Sequence, residues 1–233
     1  MFLFYVPNIA HENVLTPEES QHCVKVLRLA IGDKILLTDG VGGIYEARIT
    51  FSSPKRCEFE IVSKQEEVNK RPYRLHVAIA PTKNIDRLEW MIEKCTEIGI
   101  DEITPLLCRF SERKVIKPER LHKVMVSAAK QSLKAYVPKL NDLTTFSDLI
   151  AHANESQKFI AHCYKDEKKL FQHALHVKQD ILILIGPEGD FSEQEVENAM
   201  QKGFLPVSLG NSRLRTETAG VVACHTVAIM NEE

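Results

Sequence analysis

Two short segments concentrate the residue types that hold and transform a small molecule. The first is Gly186-Pro187-Glu188-Gly189-Asp190. The second runs from Gly210 to Thr218 and contains Arg213, Leu214, Arg215, Thr216, Glu217 and Thr218 in succession. Glycines let backbone approach a ligand closely, and loops beyond the carboxyl ends of parallel strands are where open α/β sheets bind ligands. Two readings fit these segments: ordinary βα turns punctuated by glycine, or two adjacent walls of a ligand site. The density of Arg, Thr and Glu in Arg213 to Thr218 exceeds what a turn needs and favours the second. A ligand with an adenine and a negative charge, held by backbone groups and apolar contacts, fits Gly186, Gly189, Leu209, Gly210 and Leu214. The loop is not G-x-x-x-x-G-K-[ST], nor G-x-G-x-x-G, and the chain has no G-x-S-x-G elbow. ATP hydrolysis, NAD chemistry and an α/β-hydrolase therefore lose support.

The elements around these loops are legible. Ile181 to Ile185 is a continuous apolar run, the pattern of a strand buried on both faces. Ser192 and Glu195 have capping-box spacing and open a helix that stops at Gly203. A short strand near Pro206 to Leu209 leads into the second loop, and a last helix carries Ala219, Val222, Ala223 and Val227. Upstream, Leu75 to Ile79, Glu102 to Leu107 and Phe159 to Cys163 read as strands. Lys83 to Ile98, a helix from Pro118 to Tyr136 and Glu167 to His176 read as helices. This alternation predicts a mostly parallel sheet covered by helices. Residues 1–70 follow a different grammar. Phe2 to Val6, Lys34 to Thr38, Tyr45 to Phe51 and Cys57 to Ile61 are short strands, joined by turns and one helix over Pro17 to Leu29. They predict a small β-barrel. The polar stretch Gln65 to Pro72 marks the boundary between a first domain, 1–70, and a second, 71–233.

The 233 residues carry 30 Lys+Arg against 32 Asp+Glu. The charge is uneven: residues 71–140 hold 14 basic and 8 acidic residues, concentrated in Arg109 to Lys139. Such a stripe is a phosphate-backbone footprint or a solvated helix face. Six scattered cysteines without a C-x-x-C pair fit reduced thiols in the cytoplasm, and no Cys/His group has zinc spacing, so no metal is expected. No apolar run approaches the ~20 residues of a membrane span, so no membrane association is expected.

The carboxyl-terminal segments resemble the RsmE family, the small-subunit ribosomal RNA uracil-N3 methyltransferases of the SPOUT class. The residues that carry the likeness are Ile185-Gly-Pro-Glu-Gly-Asp-Phe-Ser192, Val207-Ser-Leu-Gly210 and Leu214-Arg-Thr-Glu-Thr-Ala219. Lys83, Arg87, Glu93-Lys94, Thr96-Glu-Ile-Gly99, Arg109, Arg113, Gln131-Ser132, His22 and Val26-Leu-Arg28 extend it over nearly the whole chain. Asp190 stands where the family usually has Gly, and Lys134 where it usually has Arg.

The resemblance implies S-adenosylmethionine as methyl donor and small-subunit ribosomal RNA as partner. It also implies a PUA-like barrel, a carboxyl-terminal trefoil knot and a homodimer. Ile185, Gly186, Gly189, Leu209, Gly210, Leu214 and Thr216 become the expected cofactor contacts. Arg28, Lys83, Arg87, Arg109 and Arg113 become the expected RNA contacts. Arg215 and Glu188 become the catalytic candidates, one stabilising charge on the base and the other orienting it or taking its proton. Alternatives are Glu188 holding a loop N–H, Arg215 pairing with Glu217, and Arg87 bridging on its own helix. Two other functions remain: a SPOUT enzyme acting on another RNA, such as the ribose 2′-O of transfer RNA, and an RNA-binding assembly factor without turnover.

Overall fold

The computed structural model describes residues 2–165 and 167–232. Its contacts divide the chain into two units, Met1–Lys70 with Val126–Val137, and Arg71–Met125 with Pro138–Glu233.

In the first unit, β1 (Leu3–Tyr5) lies parallel to β2 (Lys34–Thr38). Strand β2 pairs antiparallel with β3 (Ile44–Ser53), and β3 with β4 (Arg56–Gln65). The sheet runs in chain order, and among the described residues no ladder joins β1 to β4. Period-two patterning puts Tyr45, Ala47 and Ile49 of β3 and Cys57 and Phe59 of β4 into one core with Phe4, Ile35 and Leu37. Helix α1 (Pro17–Gln21) starts as expected: Thr16 Oγ1 accepts the Glu19 N–H at 3.3 Å. It is shorter than the expected helix to Leu29. The backbone widens into one π turn over His22–Val26, with Cys23 buried in the core, and leaves through Arg28 at φ +56°. The segment Val126–Val137 joins this unit through Lys130, whose ammonium pairs with Glu19, and through Thr38 Oγ1, which donates to the Ala135 carbonyl at 3.0 Å.

The second unit begins with β5 (Leu75–Ile79), α2 (Ile85–Ile98), β6 (Glu102–Leu107) and the first part of α3 (Pro118–Gln131), whose residues from Val126 onward belong to the first unit. It continues through β7 (Lys139–Leu140), β8 (Thr144–Thr145), α4 (Phe146–His152), β9 (Gln157–Ala161), β10 (Lys169–Leu170) and α5 (Phe171–Ala174). It ends with β11 (Ile181–Ile185), α6 (Glu193–Gln201), β12 (Leu205–Ser208) and α7 (Thr216–Asn231). The sheet order is β10-β12-β9-β11-β5-β6-β7, with every ladder parallel, and β8 also pairs with β6. Strand β11 lies between β9 and β5, which is why all five of its residues are apolar and buried.

Several elements differ from the sequence expectation. Helix α2 starts at Ile85 because the Asn84 side chain caps it, accepting the Asp86 N–H at 3.1 Å. Helix α3 stops at Gln131, short of Tyr136: Ser132 Oγ turns back to the Ala128 carbonyl and Leu133 takes φ +55°. The expected helix Glu167–His176 is a two-residue strand and one helical turn, because Lys169 and Leu170 pair with β12 at the sheet edge. Strands β7 and β8 and helix α4 are too short to show a period.

Candidate functional site

In the order β12-β9-β11 three parallel strands end side by side, so the loops that follow them meet at one edge of the sheet. They enclose a cavity of about 510 Å³, within the range of small-molecule sites. The loop after β9 contributes His162, Cys163, Tyr164 and Lys168. The loop after β11 contributes Asp190, and the stretch from Val207 to Leu214 contributes the third wall.

Of the expected cofactor residues, Leu209, Gly210 and Leu214 line this cavity. Gly210 sits at φ +133° with nothing within 4 Å of a built Cβ, so its backbone requires glycine and the space beside it is open. Ile185, Gly186, Gly189 and Thr216 are not part of the lining. The Gly186 carbonyl accepts a hydrogen bond from Thr216 Oγ1 at 3.1 Å, which ties the start of α7 to the end of β11. A Cβ on Gly186 would lie 3.1 Å from the Phe191 ring. Gly186 and Thr216 thus frame the cavity without lining it.

The resemblance puts one of the three cofactor loops after Cys163, but no sequence pattern singles out the individual lining residues of the loop after β9. It has no glycine and no motif, and only the pairing of β9 with β11 and β12 brings it to the site. Its shape is held by Lys168, whose ammonium donates to the carbonyls of His162 and Tyr164. Burial, followed by the charge of Asp190, pushes the Cys163 thiol above its usual pKa.

Arg215 directly follows Leu214 and is exposed at the N-cap of α7. Among the described residues no carboxylate pairs with its guanidinium. Glu217 instead lies buried with an oxygen 3.8 Å from Arg87 Nε on α2. Arg87 therefore reaches across to another helix, and among the described residues it does not bridge along its own. Glu188 Oε1 accepts the Lys83 N–H at 2.9 Å. Arg113 holds the same loop from the other side, donating to the Thr82 carbonyl at 3.0 Å and the Lys83 carbonyl at 2.7 Å. The Lys83 ammonium pairs with Glu112 at 2.8 Å on the surface. Arg109 is exposed, and its backbone N–H donates to Glu195 Oε1 at 2.8 Å. Arg28, in the first unit, is exposed.

A second cavity of about 500 Å³ opens at the amino ends of β5, β6 and β11. Its most buried polar group, His76, is already satisfied by Glu155 and by Thr104 Oγ1, each at 2.7 Å. The carboxyl-end cavity is the better ligand site on both topology and open polar groups. Among the described residues no cluster of three His, Cys, Asp or Glu could hold a metal, and no helix is long and apolar enough to cross a membrane.

Residues 69–228 match the family model described as an RNA methyltransferase domain, and residues 15–62 match an RNA methyltransferase PUA domain. Ribosomal RNA small subunit methyltransferase E of Synechocystis is 32% identical over 90% of this chain and 70% of that protein. The crystal structure of a probable rRNA-methyltransferase from Porphyromonas gingivalis is 42% identical and superposes with a TM-score of 0.95 over 100% of this chain and 99% of that one. A Legionella pneumophila protein solved in complex with the bound cofactor SAM is 29% identical with a TM-score of 0.88 over 99% of this chain and 98% of that one.

Proposed function

Since the chain belongs to the family of ribosomal RNA small subunit methyltransferase E, we propose that it methylates N3 of a uridine in small-subunit ribosomal RNA, with S-adenosylmethionine as donor. The observation that carries this reading is the cavity built by three loops at the carboxyl edge of the sheet, with Arg215 one residue beyond its wall. Its size suits a nucleoside-sized ligand. Leu209 and Leu214 offer apolar contact, Gly210 leaves room against backbone, and Asp190 offers a counter-charge to a cationic ligand. Ile185, Gly186, Gly189 and Thr216 support the loops. In this reading the carboxyl-terminal segment forms the trefoil knot of the SPOUT class. Residues 1–70 form a PUA-like RNA-binding barrel and residues 71–233 the methyltransferase domain. The enzyme works as a cytoplasmic homodimer.

S-adenosylmethionine supplies an electrophilic methyl group on a sulfonium. N3 of uracil carries a proton and becomes a nucleophile only when that proton leaves, with negative charge spreading over the flanking carbonyl oxygens. Arg215 stabilises that charge in this reading, which is supported by its being exposed, unpaired by any described carboxylate and next to the cavity. Arg28, Lys83, Arg87 and Arg109 meet the RNA backbone, and Arg113 shapes the loop that presents Lys83.

Glu188 orients this loop and the base, because one carboxylate oxygen is engaged by Lys83. Glu188→Gln keeps that acceptor and loses the ability to take a proton. It is expected to lower single-turnover methylation by less than about tenfold, below the ~10²–10⁴-fold worth of a general base. Glu188→Ala, which also frees the Lys83 N–H, is expected to lose more. A Gln variant as slow as the Ala variant would make Glu188 the proton acceptor instead.

Nucleoside analysis of small-subunit RNA from cells with and without this gene tests the function. Loss of 3-methyluridine is the expected result. Loss of a ribose 2′-O-methyl nucleoside from transfer RNA would support the other SPOUT activity. Unchanged nucleosides, with no donor binding by the pure protein, would support an assembly factor.

A further inference from the structure

Among the described residues of the loop after β11, Asp190 alone lines the cavity. Its backbone lies at φ +66°, a left-handed conformation that Asp and Asn tolerate better than other side chains. The Asp190 N–H closes the turn onto the Pro187 carbonyl at 2.9 Å. Its carboxylate is held at both oxygens: Oδ1 accepts the Phe191 N–H at 2.8 Å, and Oδ2 accepts the Cys163 N–H at 2.8 Å. The second bond reaches the loop after β9. Those two loops are also joined by Tyr164 Oη, which donates to the Phe191 carbonyl at 2.7 Å.

The joint between the loops needs an acceptor toward the Cys163 N–H; an amide oxygen supplies that one bond and gives up the one to the Phe191 N–H. A carboxylate adds a fixed negative charge to the cavity wall. Two cations share the wall. The Lys168 ammonium is engaged by two carbonyls of its own loop, and Arg213 is exposed to solvent. At the Cys163 thiol the charge of Asp190 acts in the same direction as burial, and Arg213 and Lys168 act against it.

We infer that Asp190 makes this cavity select its occupant by charge, favouring the sulfonium methyl donor over the demethylated thioether product. The inference rests on the reading that the cofactor occupies this cavity. Donor and product differ by one methyl group and one positive charge. The methyl alone gives little discrimination, whereas a fixed carboxylate attracts the extra charge whatever the rest of the wall does. The consequence is a lower affinity for spent cofactor and weaker product inhibition.

The test is calorimetric titration of S-adenosylmethionine and S-adenosylhomocysteine into the full chain without RNA. Wild type is compared with Asp190→Asn and Asp190→Gly. Asn keeps an acceptor for the Cys163 N–H and tolerates the positive φ. It is expected to weaken donor binding about three- to tenfold, the scale of one partly screened charge pair, with product binding nearly unchanged. In wild type the preference for donor should also shrink as salt rises from about 0.05 to 0.5 M, because screening shortens the reach of the carboxylate. A donor-to-product ratio unchanged in Asp190→Asn, or equal weakening of both ligands, overturns the inference and leaves Asp190 as a joint between loops. Should Asp190→Asn fail to fold, Asp190→Gly, whose backbone is relaxed at this φ, carries the same ratio. Wild type that binds neither ligand overturns the cofactor reading itself, a different result from a changed or unchanged ratio.

Discussion

Arg215→Ala is expected to lower the single-turnover methylation rate by about 10²–10⁴-fold, the range for removing one pre-positioned charge-stabilising group. The variant should fold and bind donor as wild type does. The Arg215 side chain is exposed, its carbonyl accepts the Ala219 N–H at 2.8 Å whatever the side chain, and Glu217 is matched to Arg87 on α2. An exposed substitution of this kind changes stability by about 0.5 kcal/mol or less. Arg215→Lys should recover part of the rate, because an ammonium keeps the charge and loses the planar fork that matches two acceptors. Three measurements separate the roles: donor affinity by calorimetry, thermal midpoint, and rate on saturating RNA. An unchanged rate would remove Arg215 from the chemistry. A rate restored to wild type by excess RNA would make it a binding residue.

Only part of this site can be read from the chain. The apolar run of β11 announces a central strand, since five successive apolar residues have no solvent face to spare. The capping box is equally plain: Ser192 Oγ accepts the Glu195 N–H at 3.3 Å, and Glu195 Oε2 accepts the Ser192 N–H at 2.8 Å. Both are local patterns, and local patterns survive in sequence. The wall formed by His162, Cys163, Tyr164 and Lys168 is not local. It exists because β9 lies between β11 and β12, a pairing that no periodicity encodes. Asp190 combines the two cases. Its turn is visible as Gly189-Asp190, but its bond to Cys163 spans 27 residues and depends on that same strand order. Gly186 and Thr216 stand out in sequence for a related reason. Their bond to each other fixes where β11 ends and α7 begins, and so sets the frame of the cavity without lining it.

The residue next to Asp190 links that frame to the core. Phe191→Ala is expected to destabilise the second unit by about 3–5 kcal/mol, the usual loss for truncating a buried phenylalanine. Phe191 is fully buried, with its ring centroid 5.5 Å from that of Phe146, in a core with Leu182, Leu184, Val196 and Ala199. The glycine at 186 is shaped to it, since a Cβ there would come within 3.1 Å of the ring. Neither neighbour can collapse far into the void: Gly186 has no side chain, and Leu182 and Leu184 are held in a strand paired on both sides. The urea midpoint should fall with little change in slope, as for a loss of packing without a change in exposed area. Out of a total stability of about 5–15 kcal/mol this is a large share. The same substitution should reach the cavity. The Phe191 N–H and carbonyl anchor Asp190 and Tyr164 respectively, so a ring that no longer fixes this backbone loosens both bonds between the loops. Donor affinity of the folded variant is then expected to fall well beyond the effect of Asp190→Asn, for donor and product alike. Phe110→Ala is the control, because that ring is 47% exposed and its loss should cost about 1 kcal/mol or less. Equal destabilisation by the two variants would refute the assignment of Phe191 as the residue that sets the loops on the core.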